Sequence, residues 1–208
     1  MYDIGKEFKG THNICVTVDD VKFMLLDLEK HKTIAIDTET SGLDPYKRDI
    51  CGYVFGYYPN IGYYIPVRHM VNPIEGEELK NVRVLLKTFL ETSGQSKVFF
   101  NAKFDIKMLR RDGIRVKGPV EDVSLLFPLL TVPTINNSLK LKDISREVLK
   151  FKTLGDAALR KAKHGKPEMV EKYGYSFLPF DLVGVYACED VMMTIQLWEW
   201  MKSKMGVK

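Results

Sequence analysis

Two kinds of hydrophobic pattern alternate along the chain. Short runs rich in β-branched and aromatic residues predict strands at residues 14–18, 33–38, 50–58, 61–67 and 97–100. Longer segments, in which apolar residues recur every three or four positions, predict helices at residues 21–28, 77–91, 102–111, 120–130, 139–149 and 181–202. Asp19 and Asp20 are expected to cap the first helix, and the turn at Pro59 and Asn60 predicts a hairpin. Strands followed by a largely helical second half indicate an α/β fold.

Length and composition fit one globular domain. The 208 residues allow a sizeable core with little room for a second, so residues 1–208 are expected to form a single domain. No apolar run is long enough to span a bilayer, and the N terminus lacks the apolar core of a secretion signal, so we expect no membrane partner. Cys15, Cys51 and Cys188 are too scattered for a disulfide framework or a zinc site, which favours a cytoplasmic location.

Acidic residues interrupt the apolar pattern at three places, of which the first is a strand. Asp37 and Glu39 are two residues apart at the C-terminal end of the strand at 33–38, so their side chains share one face. Two carboxylates on one face repel each other unless a cation lies between them. The alternative is that the strand has already ended and that both side chains face water.

The other two places are on predicted helices. Asp105 falls on an apolar stripe beside Met108, although the helix dipole alone also favours an acidic residue in the first turn. Asp190 lies four residues after Tyr186 on an apolar helix face, where a charge is costly unless it is paired or binds a metal. The alternative for Asp190 is a buried carboxylate held by a hydroxyl or an arginine.

Together these carboxylates suit a hard divalent cation, because oxygen ligands of this kind are preferred by Mg²⁺ and Mn²⁺. The net charge of +4 is mildly basic, which fits a site where metal ions bridge carboxylates to a phosphate. One segment is strongly basic, and either tracks a phosphate backbone or forms solvated helix faces. Its basic residues are Lys140, Lys142, Arg146, Lys150, Lys152, Arg160, Lys161, Lys163 and Lys166.

The acidic residues resemble the three motifs of the DEDD exonuclease superfamily, in its tyrosine-containing branch. Ile-Ala-Ile-Asp-Thr-Glu-Thr-Ser-Gly-Leu-Asp at 34–44 resembles the first motif, residues 101–105 the second, and Tyr-x-x-x-Asp at 186–190 the third. Order and spacing both fit, and the likeness is greatest to the proofreading domain of family A DNA polymerases, especially phage-like ones. The resemblance implies a ribonuclease-H-like fold, in which a central mixed β-sheet is flanked by α-helices.

The resemblance also implies roles for individual residues. Asp37, Glu39 and Asp190 would hold one Mg²⁺ or Mn²⁺ ion, and Asp37 with Asp105 would hold a second. Tyr186 would orient the attacking water. The residues that would bind the substrate are Thr38, Leu43, Asn101 and Phe104.

The chain departs from the family at one position. The family often has an aromatic residue shortly after the helix at 139–149, where it stacks on the frayed end of the substrate. The matching residue here is Asp156. Phe151 and Phe177 are the candidate replacements.

The sequence therefore predicts a metal-dependent exonuclease that removes nucleotides from single-stranded or frayed DNA 3′ ends, in proofreading, replication or repair. Two alternatives stay open: an RNA 3′ exonuclease of the ribonuclease D type, and a non-catalytic module that binds DNA ends. Family A polymerases continue into a much longer polymerase region, so a DNA polymerase in the same or another chain is an expected partner. Met1 slightly favours a stand-alone protein over a fragment.

Overall fold

The structure, a computed structural model, describes residues 10–131, 139–151, 153 and 155–206. Six strands in these ranges form one mixed sheet: β1 (Thr11–Ile14), β2 (Thr33–Thr40), β3 (Ile50–Tyr57), β4 (Ile61–Pro66), β5 (Ser96–Phe99) and β6 (Val120–Asp122). Their order across the sheet is β1-β4-β3-β2-β5-β6. β3 is antiparallel to β2 and β4, whereas the β1–β4, β2–β5 and β5–β6 pairs are parallel.

Helices cover both faces of this sheet. They are α1 (Val18–Leu28), α2 (Gly76–Thr92), α3 (Ala102–Arg111), α4 (Val123–Leu130), α5 (Leu141–Val148), α6 (Gly155–Lys163), α7 (Pro167–Tyr173) and α8 (Phe180–Met205). One face packs against α1, α2 and α3. The other packs against α4, α5, α6 and α8. The predicted α/β class, with a central mixed sheet between helices, is confirmed.

None of the helices in the described part of the chain combines the length and the apolar character needed to cross a bilayer. Cys15, Cys51 and Cys188 are all buried and free.

The prediction of a strand at residues 14–18 is wrong, because the start of α1 and its cap occupy the end of that segment. β1 ends at Ile14, and Thr17 is the N-cap of α1. Thr17 Oγ1 accepts a hydrogen bond from Asp20 N at 3.1 Å, and Asp20 Oδ2 accepts one from Thr17 N at 2.9 Å. Asp20 therefore caps α1 through a reciprocal box, whereas Asp19 pairs with Lys22 at the surface.

A second correction concerns the helix predicted at 120–130. Residues 120–122 form β6, which pairs with β5, and the helix begins only at Val123. Two short helices, α6 and α7, lie in the stretch for which the hydrophobic pattern predicted no separate elements. The helix predicted at 102–111 is confirmed with the same bounds, and the hairpin and the helices at 77–91 and 181–202 are confirmed to within three residues.

Helix α8 lies close against the sheet because glycine occupies the contact. A Cβ atom on Gly62 of β4 would come within 2.7 Å of Cys188 Cβ and 3.0 Å of Cys188 Cα. The backbone of a buried helix has no room to move aside. Gly62 therefore sets how closely α8, which carries Tyr186 and Asp190, approaches the strands.

Replacing Gly62 tests this close approach. We expect Gly62→Ala to lower the free energy of unfolding by about 1–3 kcal/mol, the usual cost of overpacking a core. The melting temperature would then fall by roughly 2–4 °C per kcal/mol for a chain of this size. Gly94→Ala is the matched control, since a Cβ there meets nothing within 4 Å. Equal melting temperatures of the two variants in thermal denaturation would contradict the packing described.

Candidate active site

β2 presents the carboxylates of the first motif on the face that α8 covers. Side chains alternate along the strand, with Ile36 in the core beneath α1–α3 and Ala35 in the core beneath α8. Asp37 and Glu39 continue the Ala35 side. Because β2 extends to Thr40 and Glu39 is only 4% exposed, the alternative in which both carboxylates face water beyond the strand is wrong.

Asp105 meets β2 through Thr38. β2 pairs with β5 only as far as Ala35, so β5 does not bond the backbone of Thr38. Asp105 Oδ1 instead accepts hydrogen bonds from Thr38 N at 3.0 Å and from Thr38 Oγ1 at 2.6 Å. Asp105 is 2% exposed and lies in the first turn of α3, where the helix dipole also favours its charge. The Thr38 hydroxyl thus positions a carboxylate.

Tyr186 and Asp190 lie one turn apart on α8, beside the end of β2. Asp190 Oδ1 is buried and has no hydrogen bond of normal geometry within the described residues. The Nζ atom of Lys142, on α5, lies 3.5 Å from this oxygen. Asp190 is therefore a buried carboxylate next to a lysine, and not next to the arginine that the alternative explanation named. Hydrogen bonding by the Tyr186 hydroxyl, the other partner named there, lowers the pKa of Asp190 against the effect of burial.

Burial is the main cause of the raised pKa values of the four carboxylates, and at Asp37 and Glu39 the charges of other members of the set add to it. Burial, with the charges of Asp105, Glu39 and Asp190, raises the pKa of Asp37 well above its usual range. Burial and the charge of Asp190 raise the pKa of Glu39 to about 8, against the opposing effect of Lys142. Burial also raises the pKa of Asp105 to about 7 and that of Asp190 to about 6. The charges of Glu39, Asp105 and Asp190 therefore all act on Asp37, and these four residues are called the carboxylate cluster below.

The donor set of this cluster fits a hard divalent cation. Every donor is a carboxylate oxygen, and one oxygen of Asp190 is buried without a hydrogen bond of normal geometry in the part of the chain that the structure describes. The raised pKa values are those that a bound cation lowers. The side chains have not converged, however: among the described residues, no three His, Cys, Asp or Glu side chains already form a metal-binding group. Instead, Thr38 donates a hydrogen bond to Asp105, and Lys142 forms an ion pair with Asp190.

Asp122 is a supporting residue that sequence reasoning missed. Its carboxylate accepts hydrogen bonds from Asn101 N at 3.0 Å and Ala102 N at 2.8 Å, and so caps the start of α3. Asn101 itself has a left-handed backbone, with a φ of 69°, and an exposed side chain that makes no capping bond. No local pattern marks this contact, because Asn101 and Asp122 are 21 residues apart.

Helix α6 is held against α8 at Gly155. A Cβ atom on Gly155 would lie 2.7 Å from Tyr186 Cα, and Gly155 N donates to Glu189 Oε2 at 2.9 Å. This contact brings Asp156 within 3.4 Å of Lys142 Nζ. The residue found where the family often has an aromatic side chain is therefore part of the charge network around the carboxylates.

A cleft of about 460 Å³ opens beside the cluster. Leu43, which is 87% exposed, lines it from the segment after β2. Tyr175 lines it from the segment before α8, and its ring centroid lies 5.8 Å from that of Tyr186. Lys163 Nζ lies 4.9 Å from the centroid of the Tyr175 ring. Tyr175 was not predicted from the sequence, because its place in the cleft depends on where α7 ends.

The three phenylalanines that the sequence suggested as substrate contacts do not line this cleft. Phe104 packs in part against the core beneath α1–α3. Phe151 and Phe177 pack in part against the core beneath α8, and the lining described for the cleft includes neither.

The basic residues of the segment at 140–166 have different environments, some inside the protein and some at its surface. Lys142 turns inward, whereas Arg146 pairs with Asp143 at the surface and Arg160 pairs with Asp156. Lys152 lies outside the described residues.

Comparison with known proteins decides the family. A family model described as 3′–5′ exonuclease matches residues 13–206. The chain belongs to this family. The exonuclease is also 32% identical to DNA polymerase I of Synechocystis sp. over 156 residues, which are 68% of this chain and 15% of that protein. The predicted relation to DEDD exonucleases of family A polymerases is thereby confirmed, and the chain spans about a fifth or less of these relatives.

Solved structures support the fold of the exonuclease. Brucella melitensis NrnC with bound Mg²⁺ superposes with a TM-score of 0.61 at 19% identity, over 93% of this chain and 79% of that one. Trypanosoma brucei RNase D superposes with a TM-score of 0.66 at 17% identity, over 91% of this chain and 64% of that one. At these identities the likeness shows the fold alone, and it confirms the ribonuclease-H-like architecture.

The raised pKa values predict how stability depends on pH when EDTA removes divalent ions. The folded-state pKa values of Glu39, Asp105 and Asp190 are about 8, 7 and 6, above ordinary values of 4.5 for Glu and 3.8 for Asp. The folded protein binds more protons than the unfolded chain in this range, so stabilisation present at low pH is lost as the pH rises through these values. In EDTA, we expect the melting temperature to fall between pH 6 and pH 8, by on the order of 5 °C.

Glu39→Gln is the matched variant, because its side chain has nearly the same shape and does not ionise. Its melting temperature should change less between the two pH values than that of the native protein. The buried His69 acts in the opposite direction, since burial lowers its pKa, but it is common to both proteins. A native protein equally stable at both pH values, or more stable at pH 8, would contradict the shifts.

Proposed function

We propose that the exonuclease removes nucleotides one at a time from single-stranded or frayed DNA 3′ ends, with two Mg²⁺ or Mn²⁺ ions. The observation that carries this proposal is that the charges of Glu39, Asp105 and Asp190, from one strand and two helices, all act on Asp37 and, with burial, raise its pKa. Buried like charges that act on one another favour a multivalent cation and, through it, a phosphate.

Each carboxylate has a proposed place in the metal site. Asp37, Glu39 and Asp190 would hold one ion, and Asp37 with Asp105 the other. When bound, such ions lower the pKa of a water molecule and stabilise the leaving oxygen of the scissile phosphate. The two hydrogen bonds from Thr38 fix the Asp105 carboxylate beside β2, which supports this proposed role.

Tyr186 is proposed to orient the attacking water through its hydroxyl. Burial, together with the charges of Asp190 and Glu39, raises the pKa of Tyr186, so the hydroxyl stays protonated at neutral pH. A protonated phenol aligns a water molecule by hydrogen bonding and does not remove its proton. The products would be nucleoside 5′-monophosphates.

The cleft beside the carboxylates is proposed to receive the 3′-terminal nucleotide. Leu43 and the ring of Tyr175 supply apolar and aromatic surface for a base, and base stacking of this kind tolerates any sequence. Lys163 and Arg48, which also line the cleft, supply positive charge for the backbone. Asn101 and Phe104 are proposed to contact the substrate at the start of α3.

RNA is the second candidate substrate. The polymerase relatives favour DNA, whereas two similar folds belong to proteins named NrnC and RNase D, the latter a ribonuclease by name. The cluster acts on the phosphate, which both nucleic acids share, so the 2′-hydroxyl must be distinguished elsewhere. A DNA polymerase acting in the same or another chain remains the proposed partner.

Asp37→Ala tests the metal mechanism. The change removes the carboxylate that both ions would share, so we expect cleavage of a 5′-labelled single-stranded DNA to fall by about 10³-fold or more at saturating Mg²⁺. Asp19→Ala is the control, because Asp19 is an exposed carboxylate on α1 that pairs only with Lys22 in the described contacts. Native activity in Asp37→Ala, or cleavage that persists in EDTA, would overturn the mechanism.

Tyr186→Phe separates orientation from metal binding. It removes the hydroxyl and keeps the ring, so single-turnover cleavage should fall by roughly 10²-fold, with metal affinity retained. A loss as large as that of Asp37→Ala would require a larger role for Tyr186 than orientation.

Oligonucleotides of one sequence decide between DNA and RNA. We expect the DNA version to shorten stepwise from its 3′ end, faster than the RNA version under the same Mg²⁺ concentration. Faster loss of RNA would favour the ribonuclease D alternative. Binding of both without cleavage, in Mg²⁺ and in Mn²⁺, would favour the non-catalytic module.

A further inference from the structure

Lys142 places a cation inside the carboxylate cluster. Its Nζ atom lies 3.5 Å from Asp190 Oδ1, 3.4 Å from Asp156 Oδ1 and 3.5 Å from the centroid of the Tyr186 ring. Its charge also opposes the rise in the pKa of Glu39. The side chain is only 19% exposed, so the ammonium has given up much of its water for these partners.

The surrounding structure fixes Lys142 at this position. Lys142 is near the start of α5, whose Ile144 is fully buried in the core beneath α8. On the other side, the bond from Gly155 N to Glu189 holds α6 against α8 and presents Asp156 to the ammonium. A lysine placed between a carboxylate on α6 and one on α8 is unlike a solvated surface pair.

The proposed nuclease mechanism assigns no role to Lys142. Its ammonium nevertheless lies against an oxygen of Asp190, a proposed ligand of a divalent ion. A cation this close to a ligand opposes the approach of a second cation, because the two repel each other over a few ångströms. The same cation stabilises the carboxylates whenever no metal ion is bound.

We infer that Lys142, held by Asp156, is an internal counter-ion of the carboxylate cluster, which stabilises the protein without metal and weakens its affinity for divalent ions. Lys142 is a positioning residue and not a catalytic residue: it withdraws from Asp190 when a divalent ion binds. The inference rests on the proposed metal-dependent function. In this site the Lys142 ammonium and a divalent ion compete for the same carboxylates.

Lys142→Met is the decisive variant, because it keeps much of the side-chain length and removes the charge. Mn²⁺ binding is measured by calorimetry, and the melting temperature is measured in EDTA and in saturating Mn²⁺. We expect the dissociation constant for Mn²⁺ to fall by about fivefold, since a nearby like charge has been removed. The melting temperature in EDTA should fall by several degrees, and the gain on adding Mn²⁺ should grow.

Two further variants identify the charge as the cause. Lys142→Arg keeps the charge and should stay close to the native protein in both measurements. Lys161→Met removes an exposed charge from the neighbouring helix α6 and should change neither. A Lys142→Met protein that folds only with Mn²⁺ present is the extreme form of the expected result.

The outcomes that overturn the inference are distinct from those that overturn the function. Unchanged or weaker Mn²⁺ binding by Lys142→Met, in a native protein that binds Mn²⁺ and cleaves DNA or RNA, defeats the counter-ion and leaves the nuclease intact. Failure of Lys142→Met to fold even in Mn²⁺ points to a packing role and also defeats it. If the native protein binds no Mn²⁺, or if Asp37→Ala binds it equally well, the proposed function fails and the counter-ion with it.

Discussion

The charges of Glu39, Asp105 and Asp190 act on the buried carboxylate of Asp37, and this repulsion is the constraint on which the neighbouring elements depend. Burying one ionised carboxylate is costly, and burying several together is more so, unless each has a partner. The partners come from separate elements. Thr38 on β2 donates two hydrogen bonds to Asp105, the N terminus of α3 favours the same charge, and Lys142 on α5 lies against Asp190.

The same constraint links stability to function. A cluster that is costly without a cation gains more than an ordinary site when a divalent ion binds, because the ion removes the repulsion as well as forming bonds. The raised pKa of Glu39, at about 8, means that a bound ion would also have to displace a proton near neutral pH. Under the proposed function, folding stability, proton release and metal binding are therefore parts of one equilibrium, and the proposed role of Lys142 is to moderate it.

The sequence predicted the parts of the site that depend on local spacing. Two residues on a strand share a face and four on a helix share a face, so Asp37 with Glu39 and Tyr186 with Asp190 were assigned correctly to common surfaces. Contacts between distant segments left no such pattern. Asp122 caps α3 from 21 residues away, and Lys142 looks like any other lysine of a basic segment until α5 and α6 are folded against α8. The β-branched run at residues 14–18 predicted a strand there, but Thr17 caps α1 instead, so β1 ends at Ile14.

Substrate choice must lie outside the carboxylate cluster, because the proposed chemistry is at a phosphate that DNA and RNA share. Asp156 is occupied by Lys142 and Arg160, so the position that often carries an aromatic residue in the family offers no ring here. The described surface beside the cluster that does offer one is the cleft of Leu43 and Tyr175. If the terminal nucleotide lies there, its sugar passes between the cleft and the carboxylates, and the side chains that line this passage are the ones able to accept or reject a 2′-hydroxyl.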